Sequence, residues 1–304
     1  MPAAAGGQAS TGAAGGQAST EFVLTLSCPD RVGIVHAVAA YLHEAGCNVI
    51  DSQQFGDRIA GRFFMRVHVE TVPGPDITYG SLHSGFAGVA SEFGMEWELH
   101  DLAVQPRVLI LVSKAGHCLN DLLYRRSAES LRVDVPLVVG NHPDLAPLAA
   151  AHGVPFEHIG VDGSPESAQR SEGRLLDLVS DLSIDFVVLA RYMRILSPAL
   201  CAKLTGRIIN IHHSFLPSFK GARPYQQAHA HGVKLIGATA HYVTADLDEG
   251  PIIEQEVARV DHSDSPEDLA AIGRDAERVA LARAVRWHAE HRVLLHGRRT
   301  VIFR

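Results

Sequence analysis

Gln105-Pro106-Arg107-Val108-Leu109-Ile110-Leu111-Val112 is where the chain changes character. Proline cannot continue a paired central strand, so Gln105-Pro106 reads as a break. The five apolar residues from Val108 to Val112 alternate with nothing polar, which predicts a strand buried on both faces of a parallel sheet covered by helices. The same texture returns at 135–139 (VPLVV), 186–190 (FVVLA) and 208–211 (IINI). Helical stretches fall between these runs, at 118–128, 145–152 and 165–182. A last helix spans 266–291, opened by Ser265 with Asp268 three residues on, an approximate capping box. Residues 107–304 therefore read as a Rossmann-like open α/β sheet, whose ligands bind beyond the carboxyl ends of the strands.

Upstream of the break the pattern is different. A short strand at 22–26 closes on Cys28-Pro29-Asp30. A helix follows from about Gly33, with Ile34, Val38, Tyr41 and Leu42 at helical spacing and Gly46 at its end. Two strands come next, 48–55 and 62–71, and in the second Phe63, Met65, Val67 and Val69 recur at every other position. A helix at 79–92 and a strand at 95–104 complete a βαββαβ order, which belongs to the ferredoxin-like fold. Residues 20–104 thus form a first domain.

Residues 1–19 contain AAAGGQAST followed by GAAGGQAST, a near repeat that cannot bury enough surface to offset ordering entropy. We read it as a flexible tail. It lacks the basic start and apolar stretch of a secretory signal, and no run approaches the roughly 20 apolar residues that cross a bilayer. The whole chain has 304 residues, 27 Lys plus Arg against 34 Asp plus Glu, a formal charge of −7 and 46% hydrophobic residues. Those values suit two globular domains, and an acidic balance argues against a nucleic-acid partner. Cys28, Cys47, Cys118 and Cys201 form no C-x-x-C pair, the usage of a reducing compartment, and we expect a cytoplasmic protein.

The densest polar cluster is Asn210-Ile211-His212-His213-Ser214-Phe215-Leu216-Pro217-Ser218-Phe219-Lys220-Gly221. Strand alternation sends Asn210 and His212 to one side and Ile211 to the other. An amide and an imidazole aimed together from a strand end can donate to one developing oxyanion. A carboxylate from the acidic turn in His241-Tyr242-Val243-Thr244-Ala245-Asp246-Leu247-Asp248-Glu249-Gly250 can pair with His212. On the residues alone, an ordinary hydrogen-bonded strand end and an ordinary turn explain the same letters.

The order Asn-x-His, then Ser-Phe-Leu-Pro-Ser-Phe-Lys-Gly, then His-Tyr-Val and Leu-Asp-x-Gly resembles the folate-dependent formyltransferase family. Within it the chain looks most like the branch that hydrolyses 10-formyltetrahydrofolate to tetrahydrofolate and formate. The resemblance runs from about residue 21 to 304. It implies catalytic roles for Asn210, His212 and Asp248, with Asp248 holding His212 and accepting a proton from the attacking water. It also implies a pteridine pocket along Arg191, Tyr192, Met193, Arg194, Ile195 and Leu196, closed by Val243, Thr244, Ala245 and Asp246. On residues alone, Met193, Ile195 and Leu196 also read as core.

The segment Ser113-Lys114-Ala115-Gly116-His117-Cys118 lacks the Gly-rich phosphate cradle expected of a transformylase with a phosphorylated acceptor. That absence fits water as the acceptor. Two rivals are a formyltransferase to a small amine and a catalytically silent folate sensor. No Cys/His set has zinc spacing; His212 and His213 should face opposite sides of a strand, and His229 and His231 diverge on a helix. We therefore expect no metal and no cofactor. Lys220 and Arg223 read as solvated loop charges.

The first domain looks like an ACT regulatory domain. Asp30, Gly33 and Asn48 match positions near its effector pocket, although a turn and a helix cap account for them as well. ACT domains commonly pair edge to edge, so the resemblance implies a homo-oligomer with an amino-acid effector at an interface.

Overall fold

The computed structural model describes residues 20–72, 77–214 and 224–304. The repeated stretch 1–19, the Phe-Leu-Pro-Ser-Phe-Lys-Gly run at 215–221, and Lys220 and Arg223 lie outside the described residues. The chain divides into two compact units between Ala103 and Val104.

The first unit runs β1 (Glu21–Pro29), α1 (Ile34–Glu44), β2 (Cys47–Asp57), β3 (Arg62–Thr71), α2 (Tyr79–Phe93) and β4 (Glu96–Asp101). The strands form an antiparallel sheet in the order β2-β3-β1-β4, the expected βαββαβ arrangement. Phe22, Leu24 and Leu26 of β1 share a core with Ile34, Val38 and Leu42 of α1 and Leu82 and Phe86 of α2. The i, i+4, i+8 spacing in α1 is what lets one face reach the sheet.

The second unit continues with β5 (Arg107–Val112), α3 (His117–Ser127), β6 (Asp134–Gly140), α4 (Ala146–Ala151), β7 (Phe156–His158), α5 (Pro165–Asp181), β8 (Phe186–Leu189), α6 (Pro198–Lys203) and β9 (Ile208–His212). After these come α7 (Pro224–Ala230), β10 (Leu235–Tyr242), β11 (Ile252–Arg259), α8 (Pro266–Ala289) and a terminal hairpin, β12 (Val293–His296) and β13 (Arg299–Ile302). The main sheet has the order β11-β10-β9-β8-β5-β6-β7. Strands β5 to β9 are parallel, while β10 and β11 are antiparallel additions at one edge.

The apolar runs read as doubly buried are so: Val108 and Ile110 pack under α3 and α8, and Leu109 and Leu111 under α5 and α6. Helix α8 opens with the capping box at Ser265 and Asp268. Five elements go beyond the sequence reading: α6, β7, β11, β12 and β13. The strand β11, the three-residue β7 and the four-residue strands of the final hairpin carry too short or too mixed a pattern for periodicity to register. The antiparallel turn to β11 needs only residues 243–251, whereas a parallel partner would require a crossover of a dozen or more.

Strand order reverses at β5, which meets β6 on one side and β8 on the other. That switch point opens a crevice beyond the carboxyl ends of the strands.

Candidate active site

Strand β9 carries Asn210 and His212 on the face shared with Ile208, while Ile209 and Ile211 sink into the opposite core. Neighbouring β10 brings His241 directly opposite Asn210. The loop 243–251 then returns across the face, with Asp248 in a left-handed conformation (φ 57°). His212 Nδ1 lies 3.2 Å from Asp248 Oδ2. Its Nε2 lies 2.9 Å from Ser214 Oγ. Since a carboxylate oxygen only accepts, the proton at Nδ1 points to Asp248, and Nε2 faces outward. Hydrogen bonding from His212, helped by the charges around it, holds the Asp248 carboxyl below its ordinary range.

Asn210 Nδ2 is 3.2 Å from His241 Nε2, and His241 Nδ1 is 2.9 Å from the Tyr242 carbonyl oxygen. A carbonyl can only accept, so Nδ1 bears the proton and Nε2 accepts from the Asn210 amide. Burial keeps His241 neutral by pushing its pKa down, against the raising effects of Tyr242 and Asp248. Sequence reasoning had named His241 as part of a motif without giving it a task; its pairing with Asn210 across two antiparallel strands becomes visible only with their register.

These side chains floor a cleft of about 230 Å³. Arg191, Tyr192, Met193, Arg194, Ile195, Leu196, Val243, Thr244, Ala245 and Asp246 all line it together with Asn210, His212 and Asp248. The two readings of the 191–196 segment divide by residue. Tyr192 and Leu196 are core residues under α5 and α6, whereas Met193 and Ile195 are 64% and 76% exposed. Apolar surface held open at a cleft suits a flat, partly apolar ligand. The segment is pinned by the Met193 amide, which donates to Ser113 Oγ at 2.9 Å beyond the end of β5.

His213 also lines the cleft. Strand alternation predicts it on the far side from His212, but β9 ends at His212 and the two rings stack, 4.8 Å between centroids and 24° between planes. The expectation of opposite faces is corrected: alternation applies only while the strand lasts.

Behind the cleft, Glu277 of α8 is 1% exposed. It accepts from His117 Nε2 at 2.7 Å and from the Tyr225 hydroxyl at 3.2 Å, and Arg191 Nε stands 3.4 Å from it. Burial would raise this carboxyl, but His117 and Arg191 together outweigh burial and hold it low. Cys118 lies near enough to His117 and Glu277 to suggest a metal set. Burial pushes its thiol far up, and the carboxylate pairs with Arg191. Sequence reading missed this cluster because its members come from positions 117, 191, 225 and 277.

In the first unit, Asp30 and Gly33 lie in the exposed loop before α1, where Gly33 adopts φ 98°. Asn48 starts β2 opposite Glu70, to which its side chain donates at 2.9 Å. Glu70 in turn pairs with Glu21, at the far end of β1 from Asp30. Nine strand steps, on the order of 30 Å, therefore separate Asn48 from Asp30 within one chain.

Residues 106–285 match the family described as formyl transferase, and residues 22–81 match the ACT domain. The chain is 50% identical to a formyltetrahydrofolate deformylase of Corynebacterium sp. over 93% of its own length and 98% of that protein's. It is 46% identical to the formyltetrahydrofolate deformylase of Bacillus subtilis over 92% and 93% of the two chains. The crystal structure of formyltetrahydrofolate deformylase from Burkholderia mallei superposes with a TM-score of 0.89 at 51% identity, covering 94% of this chain and all of that one.

Proposed function

This chain belongs to the formyl transferase family, and among its members to the formyltetrahydrofolate deformylases; on that premise we propose that its cleft hydrolyses 10-formyltetrahydrofolate to tetrahydrofolate and formate. The observation that carries the reading is the His212–Asp248 pair at 3.2 Å, beside Asn210 on the same strand face. Water attack on the N10-formyl carbon places negative charge on the formyl oxygen. The Asn210 N–H that His241 leaves unused donates to it, and so does the Nε2–H that His212 carries when protonated, in exchange for its contact with Ser214. Donors of this kind are each worth about 100- to 1,000-fold in rate. Asp248 fixes the Nδ1–H tautomer and balances the charge when His212 is protonated.

The pteridine lies along 191–196 and 243–246, with Met193 and Ile195 covering its faces. The chemistry assigned here needs no metal and no cofactor: polar donors supply the oxyanion stabilisation. Release of formate supplies and balances one-carbon units, including those for purine synthesis. Among the described residues no helix is long and apolar enough to cross a membrane, and all four cysteines are buried free thiols, which supports a cytoplasmic setting.

The ACT domain takes an amino-acid effector. With Asn48 and Asp30 at opposite ends of one sheet, an effector that meets both requires a second copy of the chain, so the regulated form is a homo-oligomer. The direct test is formate release from 10-formyltetrahydrofolate with no acceptor and with chelator present. Equal amounts of formate and tetrahydrofolate support hydrolysis; folate binding without formate, or tetrahydrofolate released only with an amine acceptor and without formate, defeats it.

A further inference from the structure

A second constellation stands at the carboxyl edge of the sheet, beside the catalytic groups. Asn210 of β9 pairs with Leu189 of β8, and Leu189 with Leu111 of β5. Arg191 follows two residues beyond that rung, and His117 opens α3 after β5. Their side chains converge on Glu277 of α8, at 3.4 Å and 2.7 Å, and the Tyr225 hydroxyl of α7 donates to the same carboxylate at 3.2 Å. These side chains fill the crevice that the strand order opens beside β5, where an open α/β sheet ordinarily takes a ligand. Glu277 is buried, and the side chains of His117 and Arg191 are only 16% and 19% exposed, so the crevice is closed. One turn before Glu277, Gly273 makes room for the phenol: a Cβ there would lie 2.0 Å from the Tyr225 hydroxyl oxygen.

Arg191 belongs to both places, since it also lines the cleft with Asn210, His212 and Asp248. The pteridine wall at 191–196 roots Tyr192 and Leu196 under α5 and α6. Glu277 comes from α8, which packs on the opposite face of the sheet. A folate on the first side leaves the α3–α8 side as the approach for a second substrate, and that side is occupied. Resting on the hydrolytic reading above, we propose that His117, Arg191, Tyr225 and Glu277 are specificity-determining residues that make water the acceptor, by filling the space an amine acceptor would need beside the formyl carbon. Selectivity of this kind comes from excluding the competitor rather than from holding the chosen reactant more tightly. Opening the space should turn hydrolysis partly into transfer. The amine nitrogen then bonds to the formyl carbon, the C–N10 bond breaks, and N10 takes the proton that the amine gives up. The products are an N-formylamine and tetrahydrofolate, and no water is consumed.

The experiment combines Arg191→Gly with Glu277→Ala in one chain. That removes both charges of the ion pair together and gives glycine to a position at φ 63°. His117→Ala opens the same crevice from α3. Each variant and the parent receive 10-formyltetrahydrofolate with and without glycinamide, and formate, tetrahydrofolate and N-formylglycinamide are measured. We expect the parent to release formate and tetrahydrofolate equally at every glycinamide concentration. In the double variant glycinamide should lower the formate-to-tetrahydrofolate ratio about twofold or more, because a bound amine competes with water at high effective concentration. N-formylglycinamide should make up the difference. A slower but otherwise unchanged enzyme keeps the two products equal, so a merely structural cluster does not move this ratio. Equal products in both variants overturn the proposal, as does transfer to glycinamide by the parent, and as does the absence of any tetrahydrofolate from both variants. No formate from the parent without amine would instead overturn the hydrolytic reading itself.

Discussion

Asn210 and His241 face each other across the β9–β10 pair, with the amide nitrogen 3.2 Å from an imidazole nitrogen that accepts from it. An asparagine amide can flip end for end at little cost in an open site, presenting oxygen where nitrogen was. His241 forbids the flip, because its own proton is committed to the Tyr242 carbonyl. The donor that meets the oxyanion is therefore set by a residue that never touches it.

Substituting His241→Phe should release the amide, lowering kcat about 10- to 100-fold while KM moves little. The check is non-additivity: in an Asn210→Ala background the His241→Phe effect should nearly vanish.

Asp248→Asn should bind folate and lose turnover by about 100- to 10,000-fold, since the imidazole loses its orienting carboxylate. Steady-state formate release beside equilibrium binding of a folate analogue separates the two. Near-normal turnover in this variant would remove the pairing from the mechanism.

Gly250→Ala tests the loop that carries Asp248. A Cβ at Gly250 would sit 1.7 Å from the Tyr242 carbonyl oxygen, so the backbone must give way and Asp248 moves with it. We expect a drop of several degrees in melting temperature and a loss of turnover approaching that of Asp248→Asn, read by thermal unfolding and the formate assay.

Acid should weaken the first unit through His100, whose pKa burial and then Arg66 push down from 6.5 to about 4. Below 6.5 the unfolded chain binds a proton that the folded one refuses, so stability falls as pH drops from about 6.5 to 4. His100→Gln should flatten that part of the Tm-against-pH curve. An unchanged slope would place the acid sensitivity elsewhere.

Legibility in the sequence followed physical range. Val108 to Val112 announced a doubly covered strand because every residue is buried, and alternation alone placed Asn210 and His212 together. Asp248 was reachable because its turn follows a strand paired with β9. His213 was misread because the end of β9 is a one-residue matter that periodicity cannot resolve. Glu277 was invisible because a glutamate on an amphipathic helix looks solvated until His117 and Arg191 are found against it.

That last cluster has a consequence for the order in which the molecule is made. Glu277 closes a contact with His117 across 160 residues of chain, and loop closure over such spans is slow compared with local structure. Strand β9, which bears Asn210 and His212, leaves the ribosome well before α8 does. Until α8 docks, Arg191 lacks its Glu277 counter-charge and the wall behind the cleft is missing. A nascent chain can therefore be well advanced in folding and still be inert until α8 has emerged and docked.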